Sequence, residues 1–259
     1  HEGLGNSNKL IARLLNAGIE FGIQISHLEG GSLRNAIPRE SWANIVIPNA
    51  NIDVFKEAYE ALKAEIIEEY ATKEPKMVIT LEETAVEDAI STTDSKTFIQ
   101  TILAAFNGVY RMSPDVEGLV ETSNNVARVE VIDEKVRVLC LTRSSVESGK
   151  EALAQTLKSG FELGGFDVKF SGSYPGWKAN TQSEILEIMK AIYIKQNGEE
   201  PKVVACHAGL ECGIIGTNYP GLDMISFGPN ISGAHSPDER VEIVSVQKYW
   251  KYLLEILKE

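Results

Sequence analysis

The sequence is poor in cysteine and histidine, with three and four of them among 259 residues. The cysteines (Cys140, Cys206 and Cys212) leave at least one thiol unpaired, and no two of them are spaced as in a zinc knuckle. A secreted disulfide framework is therefore disfavoured. A reducing compartment, the cytoplasm, fits this cysteine usage better.

Long apolar runs and an excess of basic residues are also missing. No uninterrupted run approaches the ~20 apolar residues that a membrane span requires. Lys and Arg number 25 against 37 Asp and Glu, which gives a net charge of -12. A field of this sign repels nucleic acid and anionic membranes, so we expect neither as the main partner. The hydrophobic content of 43% is ordinary for a globular protein.

The first 175 residues are predicted to form an α+β domain. The order helix–strand–strand–helix–strand occurs twice in them, a weak repeat in pattern without residue identity, which indicates one or two ferredoxin-like layers of antiparallel sheet under helices. Helices are predicted from the spacing of apolar residues at 6–17, 51–74, 95–106 and 148–165. Strands are predicted at 18–31, 41–48, 76–83 and 166–176, with a hairpin at 125–144 whose turn is "IDEK".

Residues 176–259 follow a different pattern, in which helices alternate with short apolar strands. This order is typical of α/β domains with a largely parallel sheet. Two strands and two helices cannot cover both faces of such a sheet. The segment is therefore predicted to be the tail of a larger α/β domain. The helices are predicted at 183–198 and 244–259, with a strand that runs into a glycine-bearing turn at 201–213 and a buried strand at 222–230.

His235 lies in the loop "GPNISGAHSPDERVEI", a few residues beyond a predicted strand. Ligands of open α/β sheets collect at the carboxyl ends of strands, and histidine is a common metal ligand and general base. The residues alone leave two interpretations open: a functional histidine, or an exposed loop histidine beside a helix cap. One histidine makes no zinc site, because zinc takes three or four ligands.

Asn35 and Arg143 are candidates for contact with a polar ligand. Asn35 lies in "EGGSLRNAIPRE", where two glycines permit unusual backbone angles and Pro38 fixes the loop. Its amide is either a donor to an oxyanion or a turn former. Arg143 follows the alternating strand "VRVLCLTR". Its guanidinium either holds a carboxylate with two hydrogen bonds or lies on the surface.

The stretch "CHAGLECG" offers weaker candidates. His207 and Glu211 are four residues apart, but Gly209 between them favours a turn over one helical face. Cys212 is either a nucleophile or a packing residue, and nothing in its surroundings marks it as activated.

Several of these stretches together resemble one family. In their order and spacing they are similar to the aminoacyl-histidine dipeptidases (Xaa-His dipeptidases), relatives of carnosinase among the dinuclear zinc peptidases. The resemblance covers essentially the whole chain. The matching stretches are "HEGLGNSNKLIARLL", "EGGSLRNAIPRE", "TRSSVESGK", "GSYPGW", "HAGLECG" and "GPNISGAHSPDE".

The resemblance implies a zinc-binding α/β catalytic domain with an inserted lid domain that mediates dimerisation. Residues 1–175 correspond to the lid and residues 176–259 to the last part of the catalytic domain. The implied protein is a cytoplasmic homodimer that hydrolyses Xaa-His dipeptides with two zinc ions, manganese or cobalt being alternatives. It binds neither nucleic acid nor membrane.

The resemblance also gives roles to five residues. Asn35 would polarise the scissile carbonyl or bind its oxyanion, and Arg143 would hold the carboxylate of the substrate. His235 matches the last zinc ligand of the family. Gly209 and Glu211 lie where the family lines its substrate pocket.

The chain departs from the family pattern in its metal ligands. It contains no HxD motif, and its Glu–Glu pairs lie outside any family motif. We therefore expect the carboxyl-terminal part of an enzyme, inactive by itself. The alternatives are a lid and dimerisation module without catalysis, and a superfamily relative that acts on acylated amino acids.

Overall fold

The structure is a computed structural model that describes residues 2–85, 88–205, 211–233 and 239–259. The chain divides into two compact units. The first comprises His1–Ser113 and Val120–Ser173, and the second comprises Pro114–Leu119 and Tyr174–Glu259. In the part of the chain that is described, no helix combines the length and apolarity needed to cross a membrane.

Helices and strands follow one another in a mixed order. The helices are α1 (Ser7–Ala17), α2 (Ile52–Tyr70), α3 (Thr92–Ala104), α4 (Glu147–Leu163), α5 (Glu184–Asn197), α6 (Glu211–Asn218) and α7 (Ile243–Ile256). The strands are β1 (Gln24–Gly30), β2 (Ser41–Val46), β3 (Gly108–Met112), β4 (Val120–Ile132), β5 (Lys135–Ser144), β6 (Ile231–Ser232) and β7 (Arg240–Val241).

The first unit is built around one antiparallel sheet of five strands, in the order β2-β1-β4-β3 with β5 also paired to β4. The long strand β4 organises this sheet. One edge of β4 pairs with β3 near its beginning and with β1 near its end, and the other edge pairs with β5 along its length. The predicted fold class is confirmed: helices pack on an antiparallel sheet in a mixed α/β chain.

The hairpin between β4 and β5 is confirmed. Its two turn residues, Asp133 and Glu134, have φ angles of 50° and 60°. A two-residue loop with both residues in the left-handed region matches the twist of the strands that it joins. The turn therefore sets the register in which Val129 faces Val138.

Helices α1, α3 and α4 cover one face of this sheet. The hydrophobic core between them includes Ile25, Val126 and Val131 from the strands, and Phe98, Ile102 and Leu153 from the helices. A second cluster, formed by α1 and α2, includes Leu10, Leu14, Phe55, Tyr59 and Ile66. Each buried side chain of this size contributes roughly 1.5–3 kcal/mol relative to full exposure.

The second unit holds α5 against α7. The hydroxyl of Tyr252 donates to the carbonyl of Met189 at 2.7 Å, and the Tyr252 ring meets Tyr193 edge-on. Ser183 caps α5 by accepting from the amide of Leu186. Asp223 accepts from the Ser183 hydroxyl, which with neighbouring donors lowers the pKa of the Asp223 carboxyl. These contacts fix the start of α5.

Four of the predicted strands are not paired strands in the described residues. Segments 76–83, 166–173, 201–205 and 222–230 form no strand ladder. In segment 76–83 the alternating residues Met77, Ile79 and Leu81 pack against the second cluster, and the hydroxyl of Tyr59 donates to the carbonyl of Thr80. Alternation of apolar residues therefore reflects one-sided packing here, without a neighbouring strand.

Candidate functional site

The loop at residues 31–40 follows β1 and begins with Gly31, whose backbone conformation and close packing disfavour any side chain. Gly31 has a φ of +74°, and a Cβ atom built on it would lie 1.9 Å from the carbonyl oxygen of Ala127 in β4. The amide of Gly31 donates to the carbonyl of Glu40 at 3.2 Å, which closes the base of the loop. The expected role of this glycine in an unusual, close-packed backbone is thus confirmed.

The far side of the loop is tied to the start of α1 and to the turn that follows α2. The carbonyl of Pro38 accepts from the amide of Ser7 at 3.1 Å. Arg39 pairs with Glu74, whose carboxyl also accepts from the amide of Gly5. The hydrogen bond from Arg39 lowers the pKa of Glu74. The stretches "HEGLG" and "RNAIPRE" are therefore joined in space.

Asn35 occupies the exposed tip of this loop. It lies in a turn in which the amide of Ala36 donates to the carbonyl of Leu33 at 3.2 Å. The side-chain amide of Asn125 in β4 donates to the carbonyls on both sides of Asn35, to Arg34 at 3.2 Å and to Ala36 at 2.7 Å. Asn35 is thus a turn residue whose neighbouring backbone is held to the sheet.

Arg143 lies in β5 opposite Ser123 of β4. Its neighbours Thr142 and Ser144 hydrogen-bond to Asn124 and Thr122. By strand alternation the Arg143 side chain projects from the other face of the sheet. Its Nε atom is buried and has no hydrogen-bond partner within the described residues. A buried donor without an acceptor is rare, because the unmade bond costs about 1–3 kcal/mol.

The loop of Asn35 and the strand of Arg143 are joined through Asn125. Asn125 pairs with Leu141, which is two positions before Arg143 on β5. Two residues of strand correspond to about 7 Å. The structure therefore brings an exposed amide and an arginine with an unpaired donor to the same region of the sheet.

Sequence reasoning missed Asn125. It is part of "TSNNVAR", where two asparagines interrupt an alternating strand. Asparagine is depleted in strands, so the pair is a signal that the backbone nearby needs side-chain partners. The partners themselves are 89 and 91 residues away in sequence, which no local pattern reveals.

The candidates of the second unit are only partly described. Glu211 is exposed and is the first residue of α6, and the residues just before it, where the turn is predicted, lie outside the described residues. Gly213 in α6 lies against the carbonyls of Pro175 and Gly176, where a Cβ atom would meet oxygen at 2.5 Å. Gly209 and His235 lie outside the described residues, as does His207.

The described residues do not fit a two-metal centre. Among them, no group of three or more His, Cys, Asp or Glu side chains is placed to hold a metal ion. Cys140 and Cys212 are free thiols, and Cys206 lies outside the described ranges.

The fold and these motifs agree with comparisons to known proteins. The chain matches Peptidase family M20/M25/M40 over residues 16–259, and it belongs to that family. It is 40% identical over 261 residues to the cytosol non-specific dipeptidase of Escherichia coli (strain K12), covering 100% of this chain and 54% of that protein.

A solved structure agrees with this assignment. The crystal structure of aminoacylhistidine dipeptidase from Vibrio alginolyticus matches with a TM-score of 0.91 and 41% identity, over 100% of this chain and 53% of that chain. The resemblance to this group of peptidases is confirmed. The chain spans about half the length of both relatives.

Proposed function

We propose that the complete protein is a metal-dependent dipeptidase that hydrolyses Xaa-His dipeptides, and that this chain supplies groups that hold the substrate. The family and the name of the Vibrio alginolyticus relative support this class of reaction. The name of the Escherichia coli relative supports a second candidate, a dipeptidase of broad specificity.

The observation that carries the proposal is the unpaired Nε of Arg143. A dipeptide ends in a carboxylate, and a guanidinium binds a carboxylate with two parallel charge-assisted hydrogen bonds. In the proposed complex, the Arg143 side chain turns so that its buried Nε atom, together with one Nη atom, donates to the two carboxylate oxygens. Substrate binding then supplies the acceptor that the free protein lacks.

Asn35 acts on the other end of the scissile bond in this proposal. Its exposed amide donates to the carbonyl oxygen of the substrate, where negative charge develops during attack by water. A positioned donor of this kind stabilises the transition state more than the ground state. Asn35 therefore contributes mainly to turnover, and Arg143 mainly to substrate binding.

The remaining roles rest on the family resemblance. Gly209 and Glu211 line the substrate pocket, and His235 is the zinc ligand that this chain contributes. Two zinc ions, with manganese or cobalt as alternatives, belong to the complete enzyme. Among the described residues no set of three ligands is placed to hold a metal ion, so the other ligands would come from outside them.

The assembly and location belong to the same proposal. We expect a homodimer formed through the first unit, in the cytoplasm, as the name of the Escherichia coli relative indicates for that protein. Nucleic acid and membranes are not expected as partners, since the net charge of -12 repels both.

The test compares dipeptides in the complete protein. β-Alanyl-histidine and alanyl-histidine are assayed beside alanyl-alanine and glycyl-leucine, in the wild type and in Asn35→Ala. We expect the histidine dipeptides to be preferred and Asn35→Ala to lower kcat by roughly 10²–10³-fold, the usual loss for one oxyanion donor. Asn44→Ala, an exposed asparagine on β2, is the matched control. Equal turnover of all four dipeptides would favour the broad-specificity candidate.

A further inference from the structure

We infer that Asn125 is a positioning residue of the proposed site, which holds the loop at residues 31–40 so that Asn35 is presented in one orientation. The inference rests on the proposed function of Asn35. Asn125 itself would touch neither the substrate nor a metal. Its effect would pass through the backbone of the loop.

The hydrogen bonds of Asn125 hold the carbonyl groups of the residues before and after Asn35. Its Nδ2 atom donates to the carbonyls of Arg34 and Ala36 at 3.2 and 2.7 Å. With these two carbonyls held, the short stretch of backbone between them, which includes Asn35, has little freedom. The direction of the Asn35 side chain from the loop is then determined by its own rotamer.

The orientation of the Asn125 amide is itself fixed from the opposite side. Its Oδ1 atom accepts from Nδ2 of Asn6 at 3.1 Å, and Asn6 also donates to Oδ1 of Asn107 at 2.9 Å. Asn6 caps α1, because its side chain accepts from the amide of Lys9. Asn125 therefore cannot turn its amide without breaking contacts at the start of α1.

The other contacts of the loop hold its two ends, whereas the contacts at its tip are made by Asn125. Gly31 and Glu40 close the base, and Pro38 and Arg39 are tied on the second half. In the tip, the turn at Leu33–Ala36 has one backbone hydrogen bond of its own. Losing the Asn125 amide should therefore release the tip and leave the loop ends and the sheet in place.

A protease gives the most direct test, since the carbonyl of Arg34 that Asn125 holds is also the carbonyl that trypsin attacks. Asn125→Asp keeps the acceptor toward Asn6 but places a carboxylate oxygen against two carbonyls. We expect trypsin to cleave after Arg34 at least about tenfold faster than in the wild type, as for a local opening eased by about 1.4 kcal/mol. Fragments are identified by mass spectrometry, and Asn44→Asp is the control.

Kinetics in the complete protein then separate positioning from stability. We expect Asn125→Asp and Asn125→Ala to lower kcat with little change in KM, and to add little once Asn35→Ala is present. Should Asn35→Ala alone keep normal turnover, the proposed role of Asn35 fails, while cleavage after Arg34 still tests the restraint on the loop. A lower melting temperature without faster cleavage after Arg34 would assign Asn125 a purely structural role and overturn the inference.

Discussion

Among the described residues proposed to bind substrate, Arg143 has the most unusual environment. Arg128, on the neighbouring strand, also has a buried Nε without a partner, but its Nη2 atom lies 2.6 Å from Glu130. The described structure shows no comparable ion pair for Arg143. This difference indicates that Arg143, unlike Arg128, has binding capacity left for an external carboxylate.

We predict that Arg143→Ala lowers kcat/KM for Xaa-His dipeptides by roughly 10²-fold, mostly through KM. The reason is the loss of charge-assisted hydrogen bonds, each worth about 1.5–3 kcal/mol. Steady-state kinetics with a dipeptide and its carboxyl-terminal amide check this, because the variant and the wild type should handle the amide alike. Arg137→Ala, an exposed arginine on the same strand, is the control. A variant with unchanged KM for the free dipeptide would contradict the role.

Cys140 is predicted to react slowly in the folded protein. Burial raises the pKa of its thiol to about 11. An unfolded cysteine has a pKa of about 8.5, so at pH 9 the folded protein carries roughly 75-fold less thiolate at this position. Alkylation with iodoacetamide, followed by peptide mapping with and without urea, measures this ratio. Equal labelling in both states would show that the thiol is accessible and ionised in the fold.

The raised pKa of Cys140 also determines in which direction the free energy of unfolding changes with pH. Between pH 8.5 and 11 the folded state keeps a proton that the unfolded state has lost, so the free energy of unfolding falls as pH rises. Cys140→Ala should remove this part of the pH dependence.

At the scale of elements, the loop at residues 31–40 depends on how its first glycine packs. We predict that Gly31→Ala destabilises the first unit by about 3 kcal/mol or more, whereas Gly165→Ala costs only about 1–2 kcal/mol. Both glycines have positive φ, at +74° and +83°, but only Gly31 would place a Cβ atom 1.9 Å from a carbonyl oxygen. Urea unfolding of the two variants measures the difference. Equal losses would mean that the loop shifts away from Ala127 at little cost.

Helices were more predictable from the sequence than strands. The predicted helix at 6–17 matches α1 because apolar spacing and the cap at Asn6 are local signals. The strand predicted at 76–83 was wrong, because a segment that packs one face on α2 alternates just as a paired strand does. The pairing of β4 with three other strands depends on contacts that are distant in sequence.

At the scale of the whole molecule, the sequence identified the family but not the construction of its site. The order of the matching stretches along the chain was enough to identify the family, and the comparisons confirm this identification. The candidate residues Asn35 and Arg143 were predicted from the resemblance, but the unpaired Nε and the Asn125 contacts appear only in three dimensions. Local patterns carry no information about which carbonyls a side chain reaches about ninety residues away.

Metal content provides a test at this scale, since each zinc ion takes three or four ligands and the described residues bring no three of them together. We predict that the complete protein binds two zinc ions per protomer and that His235→Ala lowers this number, with loss of dipeptide hydrolysis. Removing one of three or four ligands leaves a site too weak to retain its ion through chelator washing. Elemental analysis after dialysis against a chelator provides the measurement independently of activity.

His27→Ala is the matched control for this variant, because His27 lies on β1, where its Nε2 atom is 4.0 Å from a carboxylate oxygen of Glu29. It should keep both the zinc content and the turnover of the wild type. If His235→Ala retains full zinc content, His235 is not a ligand, and the exposed-loop interpretation of "GAHSPDE" is the correct one. If both variants lose zinc equally, the loss reflects unfolding, which the melting temperatures of the two proteins would reveal.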